Sequence, residues 1–222
     1  MTRAAGRPLK ALIAGASGLV GGECLRLLLE SNRYERVLVV TRRDLGAVAR
    51  HPRARQVIAD FASLQGVADE LVADHVYCAL GTTIRKAGSQ QRFREVDGEY
   101  PRRLAEITLA NGASHFSLVS ALGASRTSPF FYSRVKGELE DALRAMRWPG
   151  LCLVRPSVIA GDRAESRPFE RLAGHALRLA PRTWRPVAAR DIAAAMVNTA
   201  LHAPRGLTVI ESRDIPEAAA TK

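Results

Sequence analysis

The sequence predicts an α/β fold, a doubly wound parallel sheet completed by a small C-terminal region, and three observations lead there. Strand-like and helix-like segments alternate through the 222 residues, as parallel strands joined by crossover helices do. Several strands are unbroken apolar runs, Val37-Leu38-Val39-Val40 among them, which marks strands covered on both faces. Between the first strand and the first helix stands a glycine-spaced loop, Gly15-Ala16-Ser17-Gly18-Leu19-Val20-Gly21.

Residues 9–14 form the first strand and 18–31 the first helix, where Leu19, Leu25, Leu28 and Leu29 recur at core-facing spacing. The second strand, 36–41, ends at Arg42-Arg43-Asp44 and leads into a short helical piece over 45–50. A third strand covers 57–59 and ends at Asp60, a helix covers 64–71, and a fourth strand, 75–80, stops at Gly81-Thr82-Thr83. A long helix spans 90–111, interrupted by Pro101 alone, and Gly112 ends it. The fifth strand at 115–120, a loop at 121–129, a helix at 130–146 and a sixth strand at 151–155 complete the regular alternation. Beyond Pro156 the pattern predicts helices at 169–179 and 190–202 and a last strand at 207–211. With no repeat or linker in view, the chain reads as one Rossmann-type domain, 1–222, in which 156–222 supplies the substrate side. Ligands of such a sheet gather at the carboxyl ends of its strands, beside a topological switch point.

Apolar residues make up 47% of the chain, which suits a globular domain with a sizeable core. No apolar run is long enough to span a membrane, and residues 1–10 are too short and polar for a secretory h-region, so a cytoplasmic protein is expected. The three cysteines, Cys24, Cys78 and Cys152, lie inside apolar segments and read as small buried hydrophobes. None of the five histidines, His51, His75, His115, His175 and His202, pairs with another ligand at metal-binding spacing, so no metal is expected. A net charge of +11 raises nucleic acid as a partner, but the arginines are dispersed and no basic run of five occurs. No nucleic-acid partner is therefore expected, and a phosphate-bearing cofactor would use part of the charge.

The glycine loop is where phosphate chemistry is expected. Glycines at 15, 18 and 21 let the backbone turn sharply, approach a pyrophosphate and pack the helix on the strand, while the helix N-terminus offers free N–H groups. A cation at the end of the second strand accommodates the 2′-phosphate of NADP, where a carboxylate would take the ribose hydroxyls of NAD. This strand ends in Arg42 and Arg43, which favours NADP(H) over NAD(H), the alternative being two solvated arginines. Asp60 is placed either to accept from the adenine amino group or to cap the following helix. Leu80, Gly81 and Thr82 would lie under the ribose and pyrophosphate. Tyr132 and Lys136, four apart on a helix, share a face, and an adjacent ammonium favours the phenolate of a catalytic tyrosine. Ser120, at the end of the fifth strand, is the hydroxyl that would polarise a substrate carbonyl beside them.

In this order of motifs the chain resembles the short-chain dehydrogenase/reductase superfamily, from residue 9 to about residue 201. The glycine motif is similar to that of the extended and atypical branches. Cys78-Ala79-Leu80-Gly81-Thr82-Thr83, His115-Phe116-Ser117-Leu118-Val119-Ser120-Ala121, Tyr132-Ser133-Arg134-Val135-Lys136-Gly137-Glu138 and Arg155-Pro156-Ser157-Val158-Ile159-Ala160-Gly161 look most like the atypical, Tat-interacting-protein-like group. The resemblance implies NADP(H) binding, Tyr132 as the acid-base residue, Lys136 on the nicotinamide ribose and Ser120 on the substrate. It also implies that Pro156 to Val158 border the nicotinamide.

Two departures stand out. Many relatives carry a relay asparagine in the helix after the fourth strand, whereas here that helix reads Glu95-Val96-Asp97-Gly98-Glu99, with its one asparagine, Asn111, at the far end. Too few residues follow Gly161 for the large substrate cap of extended members, so the pocket is expected to be small, open, or completed by the second subunit of a homodimer. Phe130 and Phe131 are candidates for an apolar wall, though core packing is the commoner role of such a pair. The expected reaction is hydride transfer to or from a small carbonyl or alcohol substrate. The alternative is an NADPH-binding sensor that does no chemistry.

Overall fold

The computed structural model describes residues 7–46, 51–160, 182–202 and 205–221. Its strands are β1 (Leu9–Ala14), β2 (Tyr34–Thr41), β3 (Ala54–Ile58), β4 (His75–Cys78), β5 (His115–Val119), β6 (Gly150–Arg155), β7 (Ile159–Ala160), β8 (Val187–Ala188) and β9 (Gly206–Glu211). Seven of them form one parallel sheet in the order β3-β2-β1-β4-β5-β6-β9, while β7 and β8 pair separately. The order reverses direction between β1 and β4, which creates the crevice where ligands of open parallel sheets bind.

Apolar side chains fill both faces of the sheet. On one side Val37, Val39, Ile13 and Val154 pack under helix α1 (Leu19–Glu30) and helix α6 (Ala189–His202). On the other, Leu12, Leu38, Phe116 and Leu118 meet helix α4 (Tyr100–Ala110) through Leu104 and helix α5 (Phe131–Ala145) through Leu139 and Leu143. A short helix α7 (Ile215–Ala220) closes the chain, with Asn198 of α6 donating to its carbonyls at Ala218 and Ala219. The helical piece predicted over 45–50 falls partly, and the helix at 169–179 wholly, outside the described residues.

The long helix expected over 90–111 runs unbroken over 90–110, with one irregular turn inside it. After a four-residue turn of helix α2 (Ile84–Ala87) come α3 (Gln90–Arg94), a π-helical turn at Glu95–Glu99, and then α4. Pro101 accounts for the π turn: it has no N–H, and in a regular helix its ring would strike the carbonyl of residue 97. The wider π turn relieves that clash, so the proline stands in the first turn of α4, where its missing donor costs least.

At the amino ends of β4 and β5, away from the crevice, a chain of polar side chains is buried. The hydroxyl of Tyr34 lies 2.9 Å from His75 Nδ1 and 2.6 Å from the hydroxyl of Tyr77. His115 packs on the His75 ring and lies 3.0 Å from Ser117 Oγ. Burial holds both imidazoles neutral, His75 pushed down to about 4 and His115, with His75 beside it, to about 3.

Candidate active site

The loop between β1 and α1 is shaped by two glycines that no other residue could replace. Gly15 has φ +93°, and a Cβ there would sit 2.5 Å from the Ala79 carbonyl oxygen; one on Gly21 would sit 2.1 Å from the Gly15 oxygen. Gly21 thus packs the helix on the loop, as expected, and Gly18 opens the helix. The first turn of α1 has no acidic residue and Gly18 provides no side-chain cap, so its N–H groups remain available to an anion.

In front of this loop lies a cavity of about 490 Å³, walled by Gly15, Ser17, Gly18, Leu80, Gly81 and, at its far end, Arg42, Arg43, Phe61 and Tyr100. Both arginines are exposed, and among the described residues neither guanidinium has a protein partner. Asp60 is not in this wall. Its carboxylate accepts the N–H of Ala62 at 3.0 Å in a local turn, and the helical turn at Leu64–Glu70, which starts where predicted, has Ser63 as its N-cap, so Asp60 neither lines the cavity nor caps that helix. Phe61, buried and stacked on Tyr100 with ring centroids 6.1 Å apart, occupies the position expected of Asp60.

A second cavity, about 410 Å³, shares Gly18, Ala79, Leu80 and Gly81 with the first, so the two form one trough across the switch point. Leu19, Val20, Thr82, Ser120, Tyr132, Lys136, Asp97 and Ile159 line it. The three residues predicted as catalytic therefore meet in one place. Pro156 and Val158, expected beside them, do not line it: Pro156 is buried and Val158 is 53% exposed. The short strand β7 turns Ile159 into the wall instead, because the Val158 carbonyl is engaged by the N–H of Val187 at the start of β8.

Lys136 is 3% exposed and lies 2.8 Å from Asp97, whose other oxygen accepts the Thr82 N–H at 2.8 Å. Burial pushes the ammonium down, but the Asp97 carboxylate, with Tyr132 adding to it, more than reverses this and holds Lys136 above its ordinary value. Asp97, which stands in the π turn of the helix that lacks the expected relay asparagine, is thus the partner of the buried lysine. Tyr132 is 38% exposed, with its ring 5.4 Å from that of Phe93. Of the two phenylalanines beside it, Phe131 packs on Phe93, and Phe130 is 73% exposed.

Ser120 reaches the cavity but gives its proton away from it, donating to Glu140 at 2.6 Å. Glu140 continues the face of α5 that carries Tyr132 and Lys136, and it is fully buried. Arg155 clamps it through Nε at 2.9 Å and Nη2 at 2.5 Å, and Arg144 through Nη2 at 2.9 Å. Arg155 also reaches Glu211 at 2.8 Å, and its hydrogen bonds to Glu140 raise the guanidinium above its ordinary, already high value. Sequence reasoning missed Glu140 and Arg155, although the i, i+4, i+8 series Tyr132, Lys136, Glu140 was there to be read. Gly137 lets the loop after β5 press against this helix: a Cβ there would come within 2.2 Å of Ser125 backbone.

Comparisons with known proteins identify the family and the fold. A family profile described as NAD(P)H-binding matches residues 15–202. Protein HTATIP2 of Rattus norvegicus is 37% identical over 174 residues, 78% of this chain and 72% of that protein. Mitochondrial protein FMP52 of Lodderomyces elongisporus is 33% identical over 166 residues, covering 71% of this chain and 70% of that protein. Among solved structures, MoeE5 in complex with UDP-glucose and NAD superposes with a TM-score of 0.69 at 17% identity, over 95% of this chain and 81% of that one. The UDP-glucuronic acid 4-epimerase of Bacillus cereus in complex with NAD gives 0.66 at 16%, over 91% and 78%. At such identities the two structures show the fold alone. The mitochondrial naming of the fungal relatives overturns the cytoplasmic expectation. The criterion behind it was unsuited, since mitochondrial leaders are amphipathic and arginine-rich and contain no h-region. Among the described residues no helix is long and apolar enough to cross a membrane.

Proposed function

The chain belongs to the NAD(P)H-binding family and, within it, to the Tat-interacting-protein-like atypical short-chain dehydrogenase/reductases; on that premise we propose an NADP(H)-dependent oxidoreductase that acts on a small carbonyl or alcohol compound. The observation that carries the proposal is the convergence of Ser120, Tyr132 and Lys136 in a cavity continuous with the glycine loop.

The residues present fit a dinucleotide. The uncapped first turn of α1 would hold the pyrophosphate, and the backbone there can be approached because Gly18 carries no side chain. Arg42 and Arg43, without protein partners among the described residues, would take a 2′-phosphate, and the remaining donors of Lys136 the nicotinamide ribose. A nicotinamide bound in this trough supplies or accepts a hydride. Tyr132 holds the proton that a reduced carbonyl oxygen needs, and its partial exposure lets water replace that proton afterwards. Asp97 and the Thr82 N–H fix where the Lys136 ammonium stands. Ile159 and Val119 give the reacting end an apolar wall.

The test is NADPH oxidation across a panel of carbonyl compounds, with NADPH fluorescence as the measure of binding. Tyr132→Phe is expected to lower kcat/KM by roughly a hundredfold or more with NADPH binding retained. Full turnover in that variant would refute the role of Tyr132. One observation favours a second reading, an NADPH sensor: the Ser120 proton is committed to Glu140 rather than to the cavity. NADPH binding without turnover on any carbonyl tested would support it.

A further inference from the structure

We infer that Ser120 is a hydrogen-bond acceptor in this site, made so by Glu140, and that the site therefore selects a carbonyl compound bearing a neighbouring hydroxyl which donates to Ser120. The inference rests on reading the cavity beside Tyr132 as the reaction site.

An ionised carboxylate accepts about four hydrogen bonds and donates none. Glu140 receives four: on Oε1 from Arg155 Nε and Ser120 Oγ, and on Oε2 from Arg155 Nη2 and Arg144 Nη2. Three of these four bonds come from guanidinium N–H groups, which can only donate, so Glu140 is the acceptor of the cluster and in the bond between Ser120 and Glu140 the serine is the donor. A serine has one proton. Turning it toward a substrate carbonyl would leave one acceptor position of a buried carboxylate empty, which is the costly direction. The backbone adds no freedom, since the Ser120 N–H is held by the Val154 carbonyl at 2.7 Å.

Toward the cavity Ser120 thus offers lone pairs alone. A bare carbonyl oxygen placed against it would meet an acceptor, while a hydroxyl would meet its partner. Tyr132 has a phenolic proton for the reacting oxygen, so the two residues together match an oxygen acceptor and an oxygen donor on adjacent carbons. Glu140 touches no substrate in this scheme and acts as a positioning residue for Ser120. In the reduction, the hydride and its electron pair pass from dihydronicotinamide to the carbonyl carbon, the carbonyl oxygen takes the Tyr132 proton, and the neighbouring hydroxyl stays intact on Ser120.

The experiment compares hydroxyacetone with acetone, and glycolaldehyde with acetaldehyde, as substrates of the full chain with NADPH. The hydroxylated member is expected to be preferred by about tenfold or more in kcat/KM, a difference one satisfied buried hydrogen bond accounts for. Ser120→Ala is expected to collapse that ratio toward one, and Ser120→Thr, which keeps the hydroxyl, to preserve it. No preference in the native protein, or a preference that survives Ser120→Ala, overturns the inference. Should no compound turn over, saturation-transfer NMR of hydroxyacetone and acetone on NADP-loaded native and Ser120→Ala protein reads the same ratio from binding. A catalytic failure is thereby separated from a failure of the acceptor assignment.

Discussion

Acidification is expected to destabilise this protein through two buried residues at the amino ends of β4 and β5, away from the crevice. His75 and His115 are buried and neutral, lowered by desolvation to about 4 and about 3, whereas an unfolded histidine titrates near 6.5. The native chain therefore binds fewer protons than the unfolded chain between those values. Stability is complete above the unfolded value, falls as pH drops through the window, and levels off below the native values. From about pH 7 to about pH 5 each imidazole removes roughly 2 kcal/mol, so the pair removes about 4 kcal/mol, a large share of a typical domain's stability. Urea unfolding followed by tryptophan fluorescence is the assay; at an m-value near 2 kcal/mol/M the midpoint should move by about 2 M. His115→Gln cannot take up a proton there, and its stability should fall by about 2 kcal/mol less over the same interval. Parallel pH curves for the native protein and this variant would refute the reasoning, as would a native stability that stays flat.

Two further outcomes follow from the trough. Asp97→Ala strands a buried ammonium, and the loss of stability is expected to be about 3–5 kcal/mol by urea unfolding, as for one partner removed from any buried pair; a neutral result would mean that Lys136 finds another partner. Replacing Arg42 and Arg43 together with alanine is expected to weaken NADPH binding by about tenfold or more while leaving NADH binding within about twofold, measured by cofactor fluorescence. Equal losses for both cofactors would remove the basis for preferring NADP(H).

The parts of the molecule that were legible in the sequence are those governed by local rules. Unbroken apolar runs placed the central strands within a few residues, and the triplet Gly15, Gly18, Gly21 located the crevice because two of those positions tolerate no Cβ. Helical spacing put Tyr132 and Lys136 on one face. Other features depended on where neighbouring elements end. Glu140 reads as an ordinary charged helix position until Arg155, fifteen residues later, reaches it from a strand end. Ile159 replaced Pro156 and Val158 in the wall because of a two-residue pairing between β7 and β8 that periodicity cannot reveal. Asp97 escaped for a different reason: the segment around it does not keep the regular helical period on which the reading relied.

That segment changes how this chain should be compared with its relatives. A π turn accommodates an extra residue, and one residue amounts to about 100° of rotation around a regular helix. Residues up to Arg94 and those from Tyr100 onward therefore count in two different helical frames, joined at a site where the mismatch is absorbed. A relative with a regular α-helix throughout this stretch would align correctly on one flank and slip on the other. The functional equivalent of Asp97 in such a protein has to be sought by position opposite the buried lysine, since matching columns of sequence will name its neighbour.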